Sequence, residues 1–305
     1  MLLTTMKNLQ CGLPIANVKP NRMPSQQCAD LANAVKNMQM VTIPGTRMVA
    51  SKFILGTASL HSVGGRKDRH ALLEAAIDHG FTHFDTAPYY GFGWAERDLA
   101  QVLKRHPRAS VTTKVGIYSP GSETQPFSAM ILRKAGGKLL PALSKPTISF
   151  SLQRAKQALE SSLARLERDH IELYMLHEPE LDMLNTDEWL GWLQKMVTSG
   201  KVGNFGLALT ADKLEPFLKQ APELASVVQV LDSLDGKEAD ILGRYGKPMQ
   251  ITYGYLSAAL ASGDTTAVPE ILAKALERNT QGAIIVSTKK ISRLAQYQQL
   301  AGNAQ

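Results

Sequence analysis

The sequence predicts a (β/α)8 TIM barrel, a single large α/β domain, and three observations support this fold class. Short apolar segments typical of buried strands alternate with longer segments whose apolar residues recur at helical spacing. Eight such strand–helix pairs occupy about 255 residues, which is the length that this fold requires. The main alternative, a doubly wound sheet, would place a G-x-G-x-x-G loop after the first strand. Gly56-Thr-Ala-Ser59 and Gly64-Gly65 do not have that spacing.

The chain divides into a leader and the barrel domain. Residues 1–39 are rich in Asn, Gln, Met and Pro and lack sustained periodicity, so we predict a loosely ordered leader. Residues 40–305 form the predicted barrel domain. It opens with a hairpin, because the short apolar segments 40–43 and 47–51 flank the turn dipeptide Pro44-Gly45.

Each barrel element follows from an apolar pattern and a stop signal. Gly80, Gly200 and Gly246 end three helices, and Pro107 follows a fourth. The predicted strands, all short apolar runs, are 53–57, 81–84, 110–115, 171–176, 202–207, 227–231, 249–253 and 283–286. The predicted helices, which carry their apolar residues on one face, are 68–79, 95–105, 151–168, 187–198, 211–219, 236–245, 268–278 and 292–300.

The longest irregular segment, residues 116–150, follows the third strand. Loops of this length inside compact domains are usually functional or disordered. Because the segment leaves the carboxyl end of a strand, we expect it to overhang the functional face of the barrel. We predict a substrate lid, and the alternatives are a loop without function or one that contacts another subunit. The oligomeric state stays undecided between monomer and homo-oligomer.

Composition and charge narrow the function classes. No apolar run approaches the roughly 20 residues of a membrane span. Both cysteines, Cys11 and Cys28, precede the barrel, so we expect no disulfide framework and a cytoplasmic location. The net charge is +7, but residues 1–52 carry six basic groups and one acidic group, a net +5. The barrel is nearly neutral and shows no basic stripe, so we expect no nucleic-acid partner.

Four polar residues follow neighbouring strands at the face where such barrels carry their sites. Asp85 and Tyr90 occur in Asp85-Thr-Ala-Pro-Tyr-Tyr90-Gly91, after the second strand, and Glu96 follows. Lys114 ends Val-Thr-Thr-Lys114 on the third strand, and His177 ends Leu-His177-Glu-Pro on the fourth. An acid, a phenol, an amine and an imidazole at strand ends are typical of a catalytic site.

These segments together resemble the aldo-keto reductase family over about residues 40–300. The run Tyr89 to Gly93 and the long segment after the third strand resemble the branch of aldose and galactose dehydrogenases. The resemblance implies a catalytic set of Asp85, Tyr90, Lys114 and His177. Tyr90 would give a proton to a carbonyl oxygen, Lys114 would lower the pKa of that phenol, and Asp85 would keep Lys114 charged. His177 would orient the substrate oxygen.

The resemblance also implies cofactor-binding residues. Tyr253 would stack on a nicotinamide, with Tyr255 as the alternative, and Gln229 would bind its carboxamide. Leu256 and Ser257 continue the segment that contains Tyr253. The residues that resemble the family's segment for an adenosine 2′-phosphate are Ser287, Thr288, Lys289 and Arg293. Hydroxyls and cations at a helix start suit an anion, and Arg293 favours NADP over NAD. No metal is implied.

One segment departs from the family pattern. After the fifth strand the family carries Gly-x-Ser-Asn, whose Ser and Asn hold the carboxamide, and this chain has Gly206-Leu-Ala208-Leu209. The principal hypothesis is an NADP-dependent oxidoreductase that interconverts a carbonyl (aldehyde, ketone or sugar) and an alcohol. The alternative is a reductase-like protein that binds or senses a cofactor with weak or no turnover. A metal-dependent barrel hydrolase would need clusters of His, Asp or Glu at strand ends, and only His177 and Glu178 come near one.

Overall fold

Eight parallel strands close into a barrel in the computed structural model of the chain. The structure describes residues 38–120 and 145–303, with isolated positions between 126 and 136. The barrel strands follow chain order, and the last strand pairs with the first through Ile284↔Phe53, Ile285↔Ile54 and Val286↔Leu55. A right-handed succession of parallel strands and helices places every strand's carboxyl end at the same face. The predicted (β/α)8 fold is confirmed.

The described elements alternate as the sequence pattern indicates. The strands are β1 (Met40–Thr42), β2 (Val49–Ser51), β3 (Phe53–Gly56), β4 (His83–Asp85), β5 (Ser110–Val115), β6 (Ile117–Tyr118), β7 (Thr147–Ile148), β8 (Ile171–His177), β9 (Val202–Leu209), β10 (Val227–Leu231), β11 (Ile251–Tyr253) and β12 (Ala283–Val286). The helices are α1 (Arg66–Asp78), α2 (Trp94–Arg105), α3 (Leu152–Leu166), α4 (Thr186–Thr198), α5 (Ala211–Gln220), α6 (Asp240–Arg244), α7 (Tyr255–Ser262), α8 (Val268–Arg278) and α9 (Ser292–Asn303). Among the described helices, none combines the length and the apolar character that a membrane span requires.

Two apolar layers hold the barrel together, and strand periodicity assigns residues to them. Alternate residues of each strand point outward to the helices, where Phe84 and Tyr174 pack, or inward to the barrel axis. The inner layer contains Ile54, Leu173 and Met175. The predicted hairpin exists as the antiparallel pair of β1 and β2, and it closes the amino-terminal end of the barrel. Its buried residues Val41, Ile43, Met48 and Ala50 belong to the inner layer.

Three differences from the sequence-based elements have physical reasons. The second barrel strand lies at His83–Asp85 rather than 81–84, because Phe81 still packs under the end of α1 and donates its N–H to Ala76. The predicted helix 236–245 shortens to Asp240–Arg244, since turns hold its first residues. Helix α7 is an additional helix, since the sequence pattern predicts no helix between the strand at 249–253 and the helix at 268–278.

The segment 116–150 begins and ends in a short antiparallel ribbon, β6 paired with β7. Most of the predicted lid lies outside the described residues, and so does the leader apart from residues 38 and 39. The division into a leader at 1–39 and a barrel at 40–305 stays a prediction.

Candidate active site

One cavity of about 590 Å³ opens at the carboxyl ends of the barrel strands. Its inner end is lined by all four residues of the expected catalytic set, together with Glu178 and Ala208. Of the eight expected cofactor residues, those that line it are Gln229, Tyr253, Leu256, Ser257, Ser287 and Arg293. With Gly56 and Ala58, the lining contains residues from all eight barrel strands or the segments that follow them.

A buried ion pair joins the second and third barrel strands. Lys114 Nζ donates to both carboxylate oxygens of Asp85, each at 2.6 Å, and to the Thr86 carbonyl at 3.1 Å. Asp85 is 3% exposed and Lys114 is 1% exposed. Burial raises the pKa of the Asp85 carboxyl and lowers the pKa of the Lys114 amine, and the mutual contact opposes both shifts. Each charge is thus held by its partner.

Tyr90 reaches this pair from a turn with an unusual backbone. Gly91 and Phe92 have φ of 59° and 58°, and Gly93 has φ of 82°, so three consecutive residues are left-handed. A Cβ at Gly91 would approach the Cβ of His61 to 3.0 Å, so both its conformation and its neighbour favour glycine. The turn presents the Tyr90 hydroxyl 3.4 Å from Lys114 Nζ.

That contact defines the direction of the hydrogen bonds. A lysine ammonium only donates, so the Tyr90 oxygen accepts and the phenol retains its own proton for another acceptor. The pKa of Tyr90 is well above its usual value, first because of burial and then because of the nearby Asp85 and Glu178 carboxylates. The net shift is therefore upward, because burial and the two carboxylates outweigh the Lys114 ammonium, whose charge Asp85 balances. That Lys114 favours the phenolate of Tyr90 stays a prediction.

His177 stands opposite Tyr90. The two rings meet edge to face, with centroids 6.0 Å apart and planes at 87°. Burial and the charge of Lys114 lower the pKa of His177 to about 3, so the imidazole is neutral at ordinary pH. Its Nδ1 is buried and has no hydrogen-bond partner among the described residues. A neutral ring of this kind can position a polar ligand without adding charge.

The departure at Ala208 and Leu209 has a clear geometry. Ala208 lies between His177 and Gln229, its register partners on the two adjacent strands, and it faces the cavity. Leu209 points the other way and is fully buried against the helices. A hydrogen bond from Gln229 lowers the pKa of Asp85, whereas the Gln229 Oε1 atom is buried without a partner in the described structure. One small apolar side chain thus separates two unsatisfied polar groups.

The structure separates the two candidate stacking tyrosines. Tyr253 lies at the end of β11, half-buried, and lines the cavity. Burial raises the pKa of its phenol, and the carboxylate of Glu178 adds to the shift by charge and by a hydrogen bond. Tyr255 also lines the cavity, but it is 3% exposed and its hydroxyl donates to Asp232 Oδ2 at 2.6 Å. Tyr253 is therefore the more exposed of the two tyrosines.

The outer end of the cavity runs between α7, α8 and the start of α9. Leu256 and Ser257 line one side, and Ser287 and Arg293 line the other. Ser257 and Ser287 are exposed, and each hydroxyl contacts a glycine carbonyl, of Gly254 and Gly56 respectively. Two expected residues do not line the cavity. Thr288 is buried with its hydroxyl bonded to the backbone of Lys290, and Lys289 points into solvent.

Sequence reasoning missed Glu178 as a site residue. It lines the cavity directly after His177 and influences both Tyr90 and Tyr253. Its signal was available, since an acid that follows a strand-end histidine lies on the functional face. The described part of the chain contains no group of three or more His, Cys, Asp and Glu that could hold a metal ion, and we propose no metal site.

The lining fits a nicotinamide dinucleotide. Gln229 Oε1 is a buried acceptor without a described partner, as a carboxamide N–H would require, and the aromatic side chain of Tyr253 lines the same cavity. At the far end, hydroxyls and Arg293 suit phosphate oxygens. The elongated cavity joins these two ends.

Comparison with known proteins identifies the family to which the chain belongs. The model of the aldo/keto reductase family matches residues 52–234, which contain all four residues of the expected catalytic set. The chain belongs to the aldo/keto reductase family. The remaining barrel strands, β11 and β12, lie beyond the matched part.

Relatives within the family are distant. The chain is 25% identical to aldo-keto reductase YhdN of Bacillus subtilis over 240 residues, which are 75% of this chain and 65% of the relative. It is 32% identical to D-threo-aldose 1-dehydrogenase of a Pseudomonas species over 158 residues, 50% of this chain and 47% of the relative. The chain thus spans between about half and two thirds of these curated relatives.

A solved structure supports the fold. The aldo-keto reductase of Klebsiella pneumoniae in complex with NADPH has a TM-score of 0.60 and 21% identity. The match covers 87% of this chain and 89% of that chain. At this identity the likeness shows the shared barrel.

Proposed function

We propose that this aldo/keto reductase is an NADP-dependent oxidoreductase that interconverts a carbonyl and an alcohol. The observation that carries the proposal is the contact chain from Asp85 through Lys114 to the Tyr90 hydroxyl, in the cavity wall that also holds His177. The set combines a phenol with a free proton, a cation that donates to its oxygen and a neutral imidazole beside it. This combination suits proton delivery to a carbonyl oxygen.

The residues that would hold the cofactor lie along the cavity. Tyr253 and Gln229 would hold the nicotinamide end, and Leu256, Ser257, Ser287 and Arg293 the phosphate-bearing end. When bound, a reduced nicotinamide supplies a hydride to the carbonyl carbon. The proposed adenosine phosphate contact centres on Arg293, whose guanidinium matches phosphate geometry. Thr288 and Lys289 would contribute only through the local charge and fold.

The protein's own groups would handle the proton. Tyr90 donates its phenolic proton to the carbonyl oxygen, and Lys114 then stabilises the phenolate that remains. Asp85 keeps Lys114 charged and fixed in its buried position. His177 fixes the carbonyl oxygen by a hydrogen bond and, being neutral, adds no competing proton. The raised pKa of Tyr90 keeps the donor protonated at neutral pH, which favours carbonyl reduction.

The substrate class follows from the cavity's mixed lining and from the relatives. An aldehyde, a ketone or the open or ring form of a sugar would find both polar and apolar walls. Similarity to D-threo-aldose 1-dehydrogenase supports sugars as the first compounds to screen. A cytoplasmic location belongs to the same proposal and rests on the distribution of cysteines.

The test is a fluorescence titration of the purified protein with NADPH and with NADH, followed by a carbonyl screen. We expect saturable binding that is tighter for NADPH. Tyr90→Phe should retain binding and lose about 10²–10⁴-fold in turnover, because the variant removes only the proton donor. Arg293→Met should weaken NADPH binding more than NADH binding, since only NADPH carries the 2′-phosphate.

A second function is favoured by Ala208 and Leu209, which supply no polar group to the nicotinamide end. The alternative is a cofactor-sensing protein with weak or no turnover. Saturable NADPH binding with no Tyr90-dependent turnover on any carbonyl would support it. Absence of binding for both cofactors at high micromolar concentration would overturn the oxidoreductase proposal and the alternative together.

A further inference from the structure

Glu178 holds an unusual backbone conformation at the inner end of the cavity. It follows His177 at the end of β8 with φ of 53°, one of four non-glycine residues with positive φ among the described residues. Residues other than glycine rarely adopt this left-handed backbone conformation, and those that do cluster at functional sites. The conformation turns the chain so that the Glu178 N–H bonds the Ala208 carbonyl at 2.8 Å.

The side chain is fixed over the end of β9. Thr210 contributes its backbone N–H at 3.4 Å and its hydroxyl at 3.5 Å to Glu178 Oε2. Lys213 Nζ approaches the same oxygen at 3.5 Å. These three contacts are long, a hydrogen bond with the Tyr253 phenol adds to them, and the side chain stays 26% exposed. Glu178 is therefore a charged group that is only partly satisfied by the protein and that faces the cavity.

The inner and outer ends of the cavity differ in the charged residues that line them. At the inner end, Lys114 is neutralised by Asp85, and Tyr90, His177 and Tyr253 are uncharged at neutral pH. Glu178 is the remaining charged lining residue at that end, with Lys213 behind it outside the lining. The outer end carries the charged residues Asp264 and Arg293. The residues that line the inner end thus carry one net negative charge, and the balancing Lys213 ammonium lies outside the lining, 3.5 Å from Glu178 Oε2.

Ala208 strengthens the effect of this charge. Its methyl group brings no dipole between His177 and Gln229, so no polar group at position 208 competes with the Glu178 carboxylate for a ligand at this end. In a partly enclosed cavity, a charge acts over several ångströms with less screening than in water. An aromatic cation next to Tyr253 would feel it directly.

We propose that Glu178 is a nicotinamide-site residue whose negative charge makes the protein bind the oxidised, positively charged dinucleotide more tightly relative to the reduced form. This inference rests on the proposed function. The two forms differ by the positive charge on the nicotinamide ring and share their phosphates. A charge at position 178 therefore changes the ratio of their dissociation constants, whereas a purely structural glutamate would change both constants alike.

The experiment compares Glu178→Gln with wild type in separate titrations with NADP⁺ and NADPH by calorimetry or protein fluorescence. Glutamine keeps the size and an acceptor oxygen but removes the charge. We expect the ratio of the NADP⁺ dissociation constant to the NADPH dissociation constant to rise by about tenfold. The matched control is Glu180→Gln. It removes a carboxylate that contacts the same Lys213 Nζ at 3.5 Å, and it lies outside the cavity lining.

The outcomes separate the two proposals. A ratio that changes in Glu178→Gln and stays constant in Glu180→Gln supports the inference. If wild type and Glu178→Gln bind both forms with the same ratio within about twofold, or if both substitutions shift it equally, the inference is overturned and the proposed function stands. If wild type binds neither form, the proposed function fails and the inference fails with it.

Discussion

The two ends of the barrel each bury a lysine and a histidine, and the two pairs are satisfied differently. At the amino-terminal end, Lys52 donates to three backbone carbonyls, of Asn279, Thr280 and Gly282, at 2.6–2.9 Å. At the opposite end, Lys114 donates to a carboxylate, a carbonyl and the phenol of Tyr90. Both lysines are 1% exposed.

The histidines show the same contrast. His83 points into the barrel with Nδ1 2.6 Å from Ser110 Oγ and Nε2 2.7 Å from Thr112 Oγ1, so both ring nitrogens are occupied. His177 keeps a buried nitrogen without a described partner. Burial lowers the pKa of both rings to about 3. A lowered pKa therefore does not distinguish a structural histidine from one that can bind a ligand. A ring nitrogen without a hydrogen-bond partner beside a cavity does.

We expect the largest effects when each lysine is replaced, since one lysine is assigned to catalysis and the other to stability. Lys114→Met should lose about 10²–10⁴-fold in turnover, because the phenolate of Tyr90 loses its stabilising charge. Lys52→Met should keep turnover within about twofold and lower the free energy of unfolding by about 2–4 kcal/mol, because three carbonyls lose their donor. Steady-state kinetics and chemical denaturation of both variants provide the measurement.

The double variant Asp85→Asn/Lys114→Met distinguishes lost chemistry from lost folding. Lys114→Met alone leaves Asp85 buried without a cation, which destabilises the fold, and the double variant removes that charge. Stability should partly recover while turnover stays lost. Recovery of turnover together with stability would show that Lys114 acts only as a structural residue, as Lys52 does.

The two histidines should make the free energy of unfolding depend on pH. Each pKa lies near 3 in the folded chain, below the ordinary value of 6.5, so between these values the unfolded chain binds more protons. Stability should therefore fall as pH drops from about 6.5, by up to about 1.4 kcal/mol per pH unit for each histidine. His83→Asn and His177→Asn should each flatten the curve of unfolding free energy against pH, measured by denaturant titrations between pH 4.5 and 7.5.

Activity separates the two rings. His83→Asn should keep its turnover at pH 7.5, because Asn can still contact Ser110 or Thr112. His177→Asn should lose turnover by at least about tenfold, since the carbonyl loses its orienting group. Equal turnover in the two variants would contradict the assignment of the unfilled nitrogen to ligand binding.

The smallest effect concerns the open position between His177 and Gln229. Ala208→Ser adds a hydroxyl to the cavity and should tighten NADPH binding about threefold to tenfold, the value of one net hydrogen bond. Ala208→Val adds bulk without a hydrogen-bonding group and should give no gain. Weaker binding in the Ser variant would show that the hydroxyl bonds protein neighbours instead of a ligand.

The sequence predicted the barrel well, because eight strand–helix repeats are hard to mistake for another fold. It also predicted which four residues meet at the cavity, because the same repeats locate the strand ends. Side-chain direction was less accessible. Tyr253 and Tyr255 differ by two residues, and the partner that occupies Tyr255, the buried Asp232, lies on the segment after another strand. The role of Glu178 depends on a backbone angle and on Thr210, neither of which local pattern reveals.

The contacts of Lys52 also bear on the order in which the chain folds. They join positions 227 to 230 residues apart, at the seam where β12 pairs with β3. During synthesis, β3 can pair with β4 early, but its other partner, β12, is made only after nearly the whole barrel. Until then one edge of β3 can pair with other strands. Contacts so distant in sequence form slowly. Lys52 therefore joins the two ends of the barrel sequence only after residues 279–282 have been made, and a chain that ended before residue 279 would leave its ammonium without these acceptors.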